Sequence, residues 1–185
     1  MQNENNCVDI ILPNFNKGEF IEAAINSIIN QSYKSWKLYI IDDCSTDDSI
    51  NILDNYKHFK NIFIIKLKRN KGPSFCRNLG MRLSSSEYIS FIDSDDIWTD
   101  NKLEIQIKFM LENKYFFSYS DYVPFIHKKT QKKYLKSTNL KKNFNFKEFI
   151  LNSSINTTTT IISRKVIGTL KFKNIKKLED YLFKC

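Results

Sequence analysis

Three aspartates close together in the middle of the chain have a spacing that suits metal binding. Asp93, Asp95 and Asp96 follow the run YISFI at 88–92, whose alternating aromatic and β-branched residues are typical of a strand. Carboxylates at positions i and i+2 of an extended chain point to one side, close enough to share a divalent cation. In an arbitrary protein the same residues more often form a solvated acidic turn. The segment alone therefore leaves a metal site and an acidic turn open.

Apolar segments before and after these aspartates predict the elements that would position them. Short buried runs predict strands, and apolar residues at helical spacing predict helices. The predicted strands lie at 8–12, 38–41, 62–65 and 88–92, and the predicted helices at 17–30, about 45–56, 73–83 and 103–111. Strands that alternate with helices this regularly predict right-handed βαβ units and a mostly parallel sheet.

The second half of the chain has a different pattern. It predicts a strand at 115–120, a hairpin or loop around 128–133, a short helix at 146–151, a strand at 157–163 and a last segment at 176–184. No internal repeat or linker interrupts the sequence, so we expect one domain over residues 1–185.

Composition excludes several classes of protein. The 42% hydrophobic fraction fits a folded globular chain, and no apolar run approaches the roughly 20 residues of a membrane-spanning helix. The first residues lack the features of a signal peptide, so a cytoplasmic protein is expected. The four cysteines are far apart and only two histidines are present, which argues against a zinc site and a disulfide scaffold.

The net charge of +9 is concentrated in one segment. Residues 122–147 contain eight lysines and no carboxylate. Such a surface attracts anions, which include nucleic acid, acidic lipid head groups and phosphorylated substrates. A solvated Lys-rich face explains the segment equally well. No aromatic–basic motif accompanies the charge, so nucleic acid is not an expected partner.

A second acidic pair, Asp42-Asp43, ends the second predicted strand. In a parallel sheet this pair, the Asp93–Asp96 segment and the Pro13–Phe15 loop after the first strand meet at one edge. An aromatic ring and several carboxylates at one edge suit a nucleoside diphosphate with a metal ion. The chain has only four glycines and no glycine-rich phosphate loop, so the metal must neutralise the phosphates. Positive side chains near the same edge are expected at Lys17, Lys71 and Arg77.

The order of these motifs resembles that of the family 2 glycosyltransferases. The matching segments are VDIILPNFNK at 8–17, SIINQSY at 27–33, IDDCSTD at 41–47, NKG at 70–72, RNLG at 77–80, FIDSDD at 91–96 and EDYLF at 179–183. Each segment is common on its own, but the ordered set covers nearly the whole chain.

The resemblance implies a GT-A fold, a Rossmann-like α/β architecture whose mostly parallel sheet is flanked by helices, with a smaller mixed C-terminal part. It implies an enzyme that moves a sugar, with inversion, from a nucleotide-diphospho sugar, expected to be a UDP-sugar. The acceptor would be a hydroxyl of a glycan or lipid-linked molecule in lipopolysaccharide, capsule or other surface polysaccharide biosynthesis. Residues 8–112 would bind the donor, and 113–185 would form the acceptor half, shortened at its C-terminus.

The resemblance also implies roles for individual residues. Phe15 would stack on the uracil, Asp42 would bind the base and Asp93 the ribose or sugar. Asp95 would bind the Mg²⁺ or Mn²⁺, and Asp180 would be the catalytic base. The other expected contacts of the nucleotide sugar are Pro13, Arg77 and Asp96. Other interpretations stay open: Arg77 as an ion-pair partner of the acidic edge, Asp43 as a loop brace, and Trp98 as a packing residue.

Two other functions stay open from the sequence. The chain ends five residues after Asp180, so an inactive remnant that still binds nucleotide is one alternative. A haloacid-dehalogenase-type phosphatase is another, although Ile97 stands where its motif has threonine and the aspartates follow the fourth strand rather than the first.

For the glycosyltransferase, we expect the lysine-rich segment to contact an anionic membrane at the inner face of the plasma membrane.

Overall fold

A computed structural model describes residues 6–128, 131–141 and 155–173 of the chain. The strands are β1 Val8–Asn14, β2 Trp36–Asp42, β3 Ile62–Lys66, β4 Tyr88–Phe91, β5 Phe117–Ser118, β6 Phe125–Lys128, β7 Gln131–Tyr134 and β8 Ile161–Ser163. The helices are α1 Gly18–Ile29, α2 Ser49–Asp54, α3 Pro73–Leu83, α4 Lys102–Asn113 and α5 Arg164–Ile167, with a 3₁₀ helix at Thr157–Thr159. No helix of this described part is long and apolar enough to cross a membrane.

The central sheet has the strand order β3-β2-β1-β4-β8-β5. Strands β1 to β4 are parallel, and β8 runs antiparallel to both β4 and β5. The mostly parallel sheet flanked by helices confirms the predicted fold class. The chain moves outward from β1 to β3 and returns to the other side of β1 for β4, so the topological switch point lies between β1 and β4. In open α/β sheets, ligands bind outside the carboxyl ends of the strands at this point.

Both faces of the sheet are covered by apolar side chains. Ile10 and Leu12 point to the face packed by α1, α2 and α4, whereas Ile11 points to the face packed by α3 and α5. Successive strand residues point to opposite faces, so burial on both sides requires the continuous apolar runs seen in the sequence. Each fully buried Leu or Ile stabilises the fold by about 1.5–3 kcal/mol relative to an exposed one.

Helix α3 packs directly on β1 at Gly80. A Cβ at this position would lie 2.5 Å from Cγ2 of Ile11, closer than real side chains approach. Only glycine therefore allows this packing distance. The close contact fixes α3 against the strand whose carboxyl end borders the switch point.

Among the predicted element boundaries that differ from the structure, those of β1 and β8 border the site. Strand β1 continues through Pro13 to Asn14, because neighbouring β2 pairs with it as far as Asp42. The predicted strand at 157–163 is wrong over Thr157–Thr159, where a 3₁₀ turn forms before β8. Asn156 caps that turn by accepting a hydrogen bond from the Thr158 N–H, and threonine hydroxyls bond to local carbonyls instead of a neighbouring strand.

The expected hairpin in the second half is confirmed. Strands β6 and β7 pair antiparallel, with Phe125 opposite Tyr134 and Lys128 opposite Gln131. The short strand β5 confirms the expectation of a strand within 115–120. The helix predicted at 146–151 and the segment at 176–184 lie outside the described residues.

Candidate functional site

Asp42, at the end of β2, is held by a hydrogen-bond network. Its carboxylate accepts bonds from Asn14 Nδ2 at 2.8 Å, Ser45 N at 3.0 Å and Ser45 Oγ at 2.6 Å. Ser45 Oγ also accepts a bond from the N–H of Asn16, in the loop after β1. Next to this network the Phe15 side chain is 45% exposed, so its ring face is available to a flat ligand. The network therefore positions a buried carboxylate beside an accessible aromatic ring.

Asp43, next to Asp42, bonds to the backbone of the loop before α3. Its two carboxylate oxygens accept bonds from the N–H groups of Lys71 and Gly72, each at 2.7 Å. Gly72 has a φ of 86°, which favours glycine, and it directly precedes α3. This bonding agrees with the interpretation of Asp43 as a brace of the loop before α3.

Asp93 follows β4 and pairs with a buried arginine. Arg77 Nη2 on α3 donates to Asp93 Oδ1 at 2.7 Å, and only 4% of the Arg77 side chain is exposed. The guanidinium also lies 5.3 Å from the ring centroid of Phe172. Because Arg77 is buried and packs against Phe172, it orients the Asp93 carboxylate at the edge of the sheet.

Asp95 is bound by a cation that comes from the other side of the switch point. Lys17 Nζ, just before α1, lies 2.6 Å from Asp95 Oδ2, and both side chains are about 40% exposed (39% and 43%). The pair joins the loops after β1 and β4. The Asp95 carboxylate is thus accessible and paired with a positive charge. Such a carboxylate could also bind a divalent cation.

Additional protein ligands for a metal are not clustered here. No group of three or more His, Cys, Asp and Glu side chains that could hold an ion occurs within residues 6–128, 131–141 and 155–173. Mg²⁺ commonly uses one or two carboxylates and takes its other ligands from water and substrate phosphates. The carboxylate of Asp95 fits that type of site and not an all-protein metal cage.

Asp96 is half-buried at the mouth of the turn that follows β4. Its N–H donates to the carbonyl of Asp93 at 3.0 Å and closes a turn. Burial raises the pKa of Asp96 to about 6, with further contributions from the charges of Asp93 and Asp95, while the nearby Thr158 side chain and Lys17 partly offset the shift. The turn considered from the sequence does form, and within it Asp96 is half-buried and not fully solvated.

A cavity of about 850 Å³ extends from Asp95 and Asp96 toward the second half of the chain. We call it the Lys102 cavity, and its walls combine aromatic rings with polar groups. It is lined by Lys17, Phe20, Asp95, Asp96, Ile97, Trp98, Thr99, Lys102, 120–125, Tyr134, Asn156, Thr158 and Thr159. Trp98 is 6% exposed and its Nε1 donates to the carbonyl of Thr158 at 3.0 Å, so it packs in the core and forms part of this wall.

Two residues of this region were not found from the sequence. Lys102 and Gln106 are 8% and 6% exposed, and Lys102 Nζ donates to Gln106 Oε1 at 2.7 Å. Lys102 and Gln106 are four residues apart and adjoin the apolar residues Leu103 and Ile107 of α4. This spacing was the signal in the sequence that the two polar side chains lie together on the buried side of the helix.

The structure brings most of the predicted site residues to one edge. Pro13 lies near the end of β1, and the side chains of Phe15, Asp42, Arg77 and the Asp93–Asp96 turn border the carboxyl ends of β1, β2 and β4. Asp180 lies outside the described residues.

The comparisons with known proteins agree with this architecture. The sequence model described as Glycosyl transferase family 2 matches residues 9–172. The chain is 31% identical over 181 residues to the putative teichuronic acid biosynthesis glycosyltransferase TuaG of Bacillus subtilis (strain 168), covering 97% of this chain and 71% of that protein. It is also 31% identical over 179 residues to the UDP-Glc:alpha-D-GlcNAc-diphosphoundecaprenol beta-1,3-glucosyltransferase WfgD of Escherichia coli, covering 95% and 68%.

A solved structure shows the same fold. The crystal structure of S. aureus TarS 1-349 in complex with UDP superimposes with a TM-score of 0.73 over 96% of this chain, at 22% identity. The chain spans about half of that structure, 53% of its length. The family model includes the Asp93–Asp96 segment. The match therefore favours a glycosyltransferase over a haloacid-dehalogenase-type phosphatase. The chain belongs to glycosyl transferase family 2.

Proposed function

We propose that this protein transfers a sugar from a UDP-sugar to a hydroxyl of a glycan or lipid-linked acceptor, with inversion, in cell-surface polysaccharide biosynthesis. The observation that carries the proposal is the accessible carboxylate of Asp95, paired with Lys17 at the β1–β4 switch point, next to the Phe15 and Asp42 environment. The name of the E. coli relative describes a UDP-glucose donor and a diphosphoundecaprenol-linked acceptor, and that of the B. subtilis relative describes teichuronic acid biosynthesis.

The donor would lie across the carboxyl ends of β1, β2 and β4. The exposed ring of Phe15 would stack on the uracil, with Pro13 beside it, and the braced carboxylate of Asp42 would accept a hydrogen bond from the base N–H. The Asp93 carboxylate, oriented by Arg77, would accept hydrogen bonds from ribose or sugar hydroxyls. Arg77 would contribute to the donor site through Asp93, and Asp96 would contact the donor from the turn.

The diphosphate carries negative charge that the site must neutralise. Asp95 would hold Mg²⁺ or Mn²⁺, and the bound ion would stabilise the growing charge of the leaving diphosphate. Lys17 donates to Asp95 in the structure. An ion bound to Asp95 would release the amine of Lys17, which would then be free to donate to a phosphate oxygen of the donor. The carboxylates thus bind and orient the donor through hydrogen bonds and charge.

The acceptor hydroxyl must lose its proton as it attacks C1 of the donor sugar. The new C1–O bond forms on the face opposite the bond to the diphosphate, which breaks and releases UDP, so the configuration inverts. Asp180 is proposed as the base that takes the proton, from its match to the family motif. Residues 8–112 would bind the donor and 113–185 the acceptor, at the cytoplasmic side of the membrane that carries the acceptor.

Isothermal titration with UDP and Mn²⁺ tests the donor site. We expect Asp95→Ala to weaken Mn²⁺-dependent UDP binding by about tenfold or more, because the carboxylate that would hold the ion is removed. Asp100→Ala, a change of an exposed aspartate outside the edge, is the matched control. UDP binding by Asp95→Ala equal to that of the unmodified protein would refute the assignment.

Transfer assays separate an enzyme from a nucleotide-binding remnant. Asp180→Asn is expected to keep UDP affinity and to lower the transfer rate about 10²–10⁴-fold, the contribution of a general base. UDP binding without donor hydrolysis or transfer by the unmodified protein would instead identify the remnant.

A further inference from the structure

Lys102 carries a buried amine at the start of α4. Among the described residues no acidic oxygen lies within 4 Å of its amine, and Gln106 Oε1 is its neutral hydrogen-bond partner. The amine also lies 4.1 Å from the ring centroid of Trp98. A buried charge with only neutral neighbours costs free energy, and burial accordingly lowers the pKa of Lys102 to about 7. The amine is therefore in an environment that an anion would improve.

The cavity beside Lys102 has the size and walls of a saccharide site. Its volume of about 850 Å³ lies in the usual range of small-molecule sites, roughly 300–1,000 Å³. Aromatic rings that suit the apolar faces of sugars line it, at Phe20, Trp98, Tyr122, Phe125 and Tyr134.

A second polar group lies in this wall. Thr158 is 7% exposed, and its side chain lies beside the Asp96 carboxyl, whose raised pKa it partly offsets. A threonine hydroxyl that donates to a carboxyl keeps lone pairs that can accept a hydrogen bond from a ligand hydroxyl. Thr158 and Lys102 thus bring a hydroxyl and an amine to the wall of the same cavity.

We propose that the Lys102 cavity binds an acceptor that carries a phosphate group next to its sugar, with the Lys102 ammonium contacting the phosphate and Thr158 a sugar hydroxyl. This inference rests on the proposed function, because it names the acceptor class of the same site. The cavity also includes Asp95 and Asp96, so a sugar held there lies next to the proposed donor and its hydroxyl can reach the reacting carbon. Lys102 selects acceptors by charge, and the aromatic walls hold the sugar ring.

The fluorescence of Trp98 provides a direct binding signal. The chain has two tryptophans, so Trp36→Phe leaves Trp98, in contact with Lys102, as the only tryptophan, whose fluorescence can be excited apart from that of the tyrosines. In this background we titrate N-acetylglucosamine linked to a short alkyl diphosphate, and the alkyl glycoside that lacks phosphate. We expect the diphosphate to bind at least about tenfold more tightly, a charge-assisted contact being worth about this factor. A third ligand with a polyol phosphate distinguishes a lipid diphosphate from a phosphorylated glycan as the natural source.

Lys102→Met tests the assignment to the amine. We expect it to remove the preference for the phosphorylated ligand, while Lys108→Met, an exposed lysine on the same helix, leaves the preference unchanged. Equal affinities for the two ligands in the parent protein, or a preference that survives in Lys102→Met, would overturn the inference. Lys102→Gln serves as a second neutral variant if Lys102→Met does not fold, and Lys102→Arg should keep the preference.

Two further measurements separate this inference from the proposed function. Lys102→Met should bind UDP with Mn²⁺ as the unmodified protein does, and should raise the KM for the phosphorylated acceptor about tenfold with kcat and donor hydrolysis little changed. A merely structural role of Lys102 would lower donor hydrolysis as well and would contradict the inference. Failure of the unmodified protein to bind UDP would refute the proposed function, whereas the fluorescence preference tests Lys102 alone.

Discussion

At the scale of single residues, the candidate site consists of carboxylates in different electrostatic environments. Asp42 is braced by neutral hydrogen-bond donors, Asp93 by the buried guanidinium of Arg77, and Asp95 by the exposed amine of Lys17. The first two partners are packed and fixed, whereas Lys17 is on a flexible side chain that solvent reaches. Asp95 is therefore the carboxylate that most easily exchanges its partner for a metal ion.

Removing Lys17 should make Asp95 more available to a divalent ion. We expect Lys17→Met to bind Mn²⁺ about two- to fivefold more tightly without nucleotide, since an exposed ion pair is worth about 0.2–1 kcal/mol. Calorimetric titration with MnCl₂ measures this, with Lys34→Met as a control for an exposed lysine elsewhere. Weaker Mn²⁺ binding by Lys17→Met would show that Lys17 helps to hold the ion site instead of competing for it.

The buried amine of Lys102 should give stability a characteristic pH dependence. Burial lowers its pKa from 10.5 to about 7, so between these pH values the unfolded chain binds one more proton than the folded chain. The free energy of unfolding of the unmodified protein should therefore rise with pH over this window, relative to Lys102→Met, by about 1–4 kcal/mol. Below pH 7 both states are protonated and the difference should stay constant.

Urea unfolding at several pH values between 6 and 10 measures this difference. Other groups titrate equally in the protein and the variant, so their contributions cancel. Lys108→Met, on the exposed face of α4, should follow the unmodified protein at every pH. Parallel curves for the unmodified protein and Lys102→Met would mean that the Trp98 ring and Gln106 keep the amine fully charged.

At the scale of elements, the site depends on how closely α3 approaches the sheet. Gly80 brings α3 against Ile11 of β1, and α3 carries Arg77 to Asp93. At the start of the same helix, Asp43 bonds the backbone N–H groups of Lys71 and Gly72. The position of this one helix therefore links the end of β2 to the turn after β4.

Gly80→Ala should destabilise the protein despite the better helix propensity of alanine. The added Cβ would lie 2.5 Å from Cγ2 of Ile11, and such overpacking typically costs about 1–3 kcal/mol, against about 1 kcal/mol of propensity gained. Urea unfolding should show a net loss, and the combined Gly80→Ala, Ile11→Ala variant should lose less than the sum of its parts. Arg82→Ala, an exposed change on α3, is the control. An additive pair would show that Ile11 is not the obstacle.

At the scale of the whole molecule, positive charge and the cavity belong to the same half of the chain. The lysine-rich segment 122–147 includes the hairpin β6–β7, and Phe125 and Tyr134 of this hairpin line the Lys102 cavity. The lysines of this segment would attract an anionic membrane that carries the acceptor. Contact with an anionic membrane is therefore a prediction for this half of the chain.

Liposome co-sedimentation tests whether the lysine-rich segment binds an anionic membrane. We expect binding to vesicles with anionic lipid, lost when Lys128, Lys129, Lys132 and Lys133 are changed to Glu, because each lysine near such a surface contributes about 1 kcal/mol. The matched control changes four exposed lysines elsewhere, at Lys34, Lys60, Lys68 and Lys108. Binding should also weaken as salt is raised. Vesicle binding that stays unchanged after charge reversal of these four lysines would refute a role for this segment.

Local patterns in the sequence determined the first half of the fold and the family. Buried strands require continuous apolar runs and helices require apolar residues at a period of 3.6, so β1 to β4 and their helices were predictable. Ordered motifs around Asp42 and Asp93 predicted a common edge, because parallel strands end on the same side of a sheet.

Tertiary structure decided the partners of the site residues. The contact between Lys17 and Asp95 joins positions 78 residues apart, and no local pattern predicts which lysine reaches the carboxylate. Lys102 begins α4, and it is buried only because α4 packs beside Trp98 and the turn at Thr157–Thr159. Which charges are buried, paired or left without a counter-ion depends on this packing, since solvent exposure and distance arise only when distant segments meet.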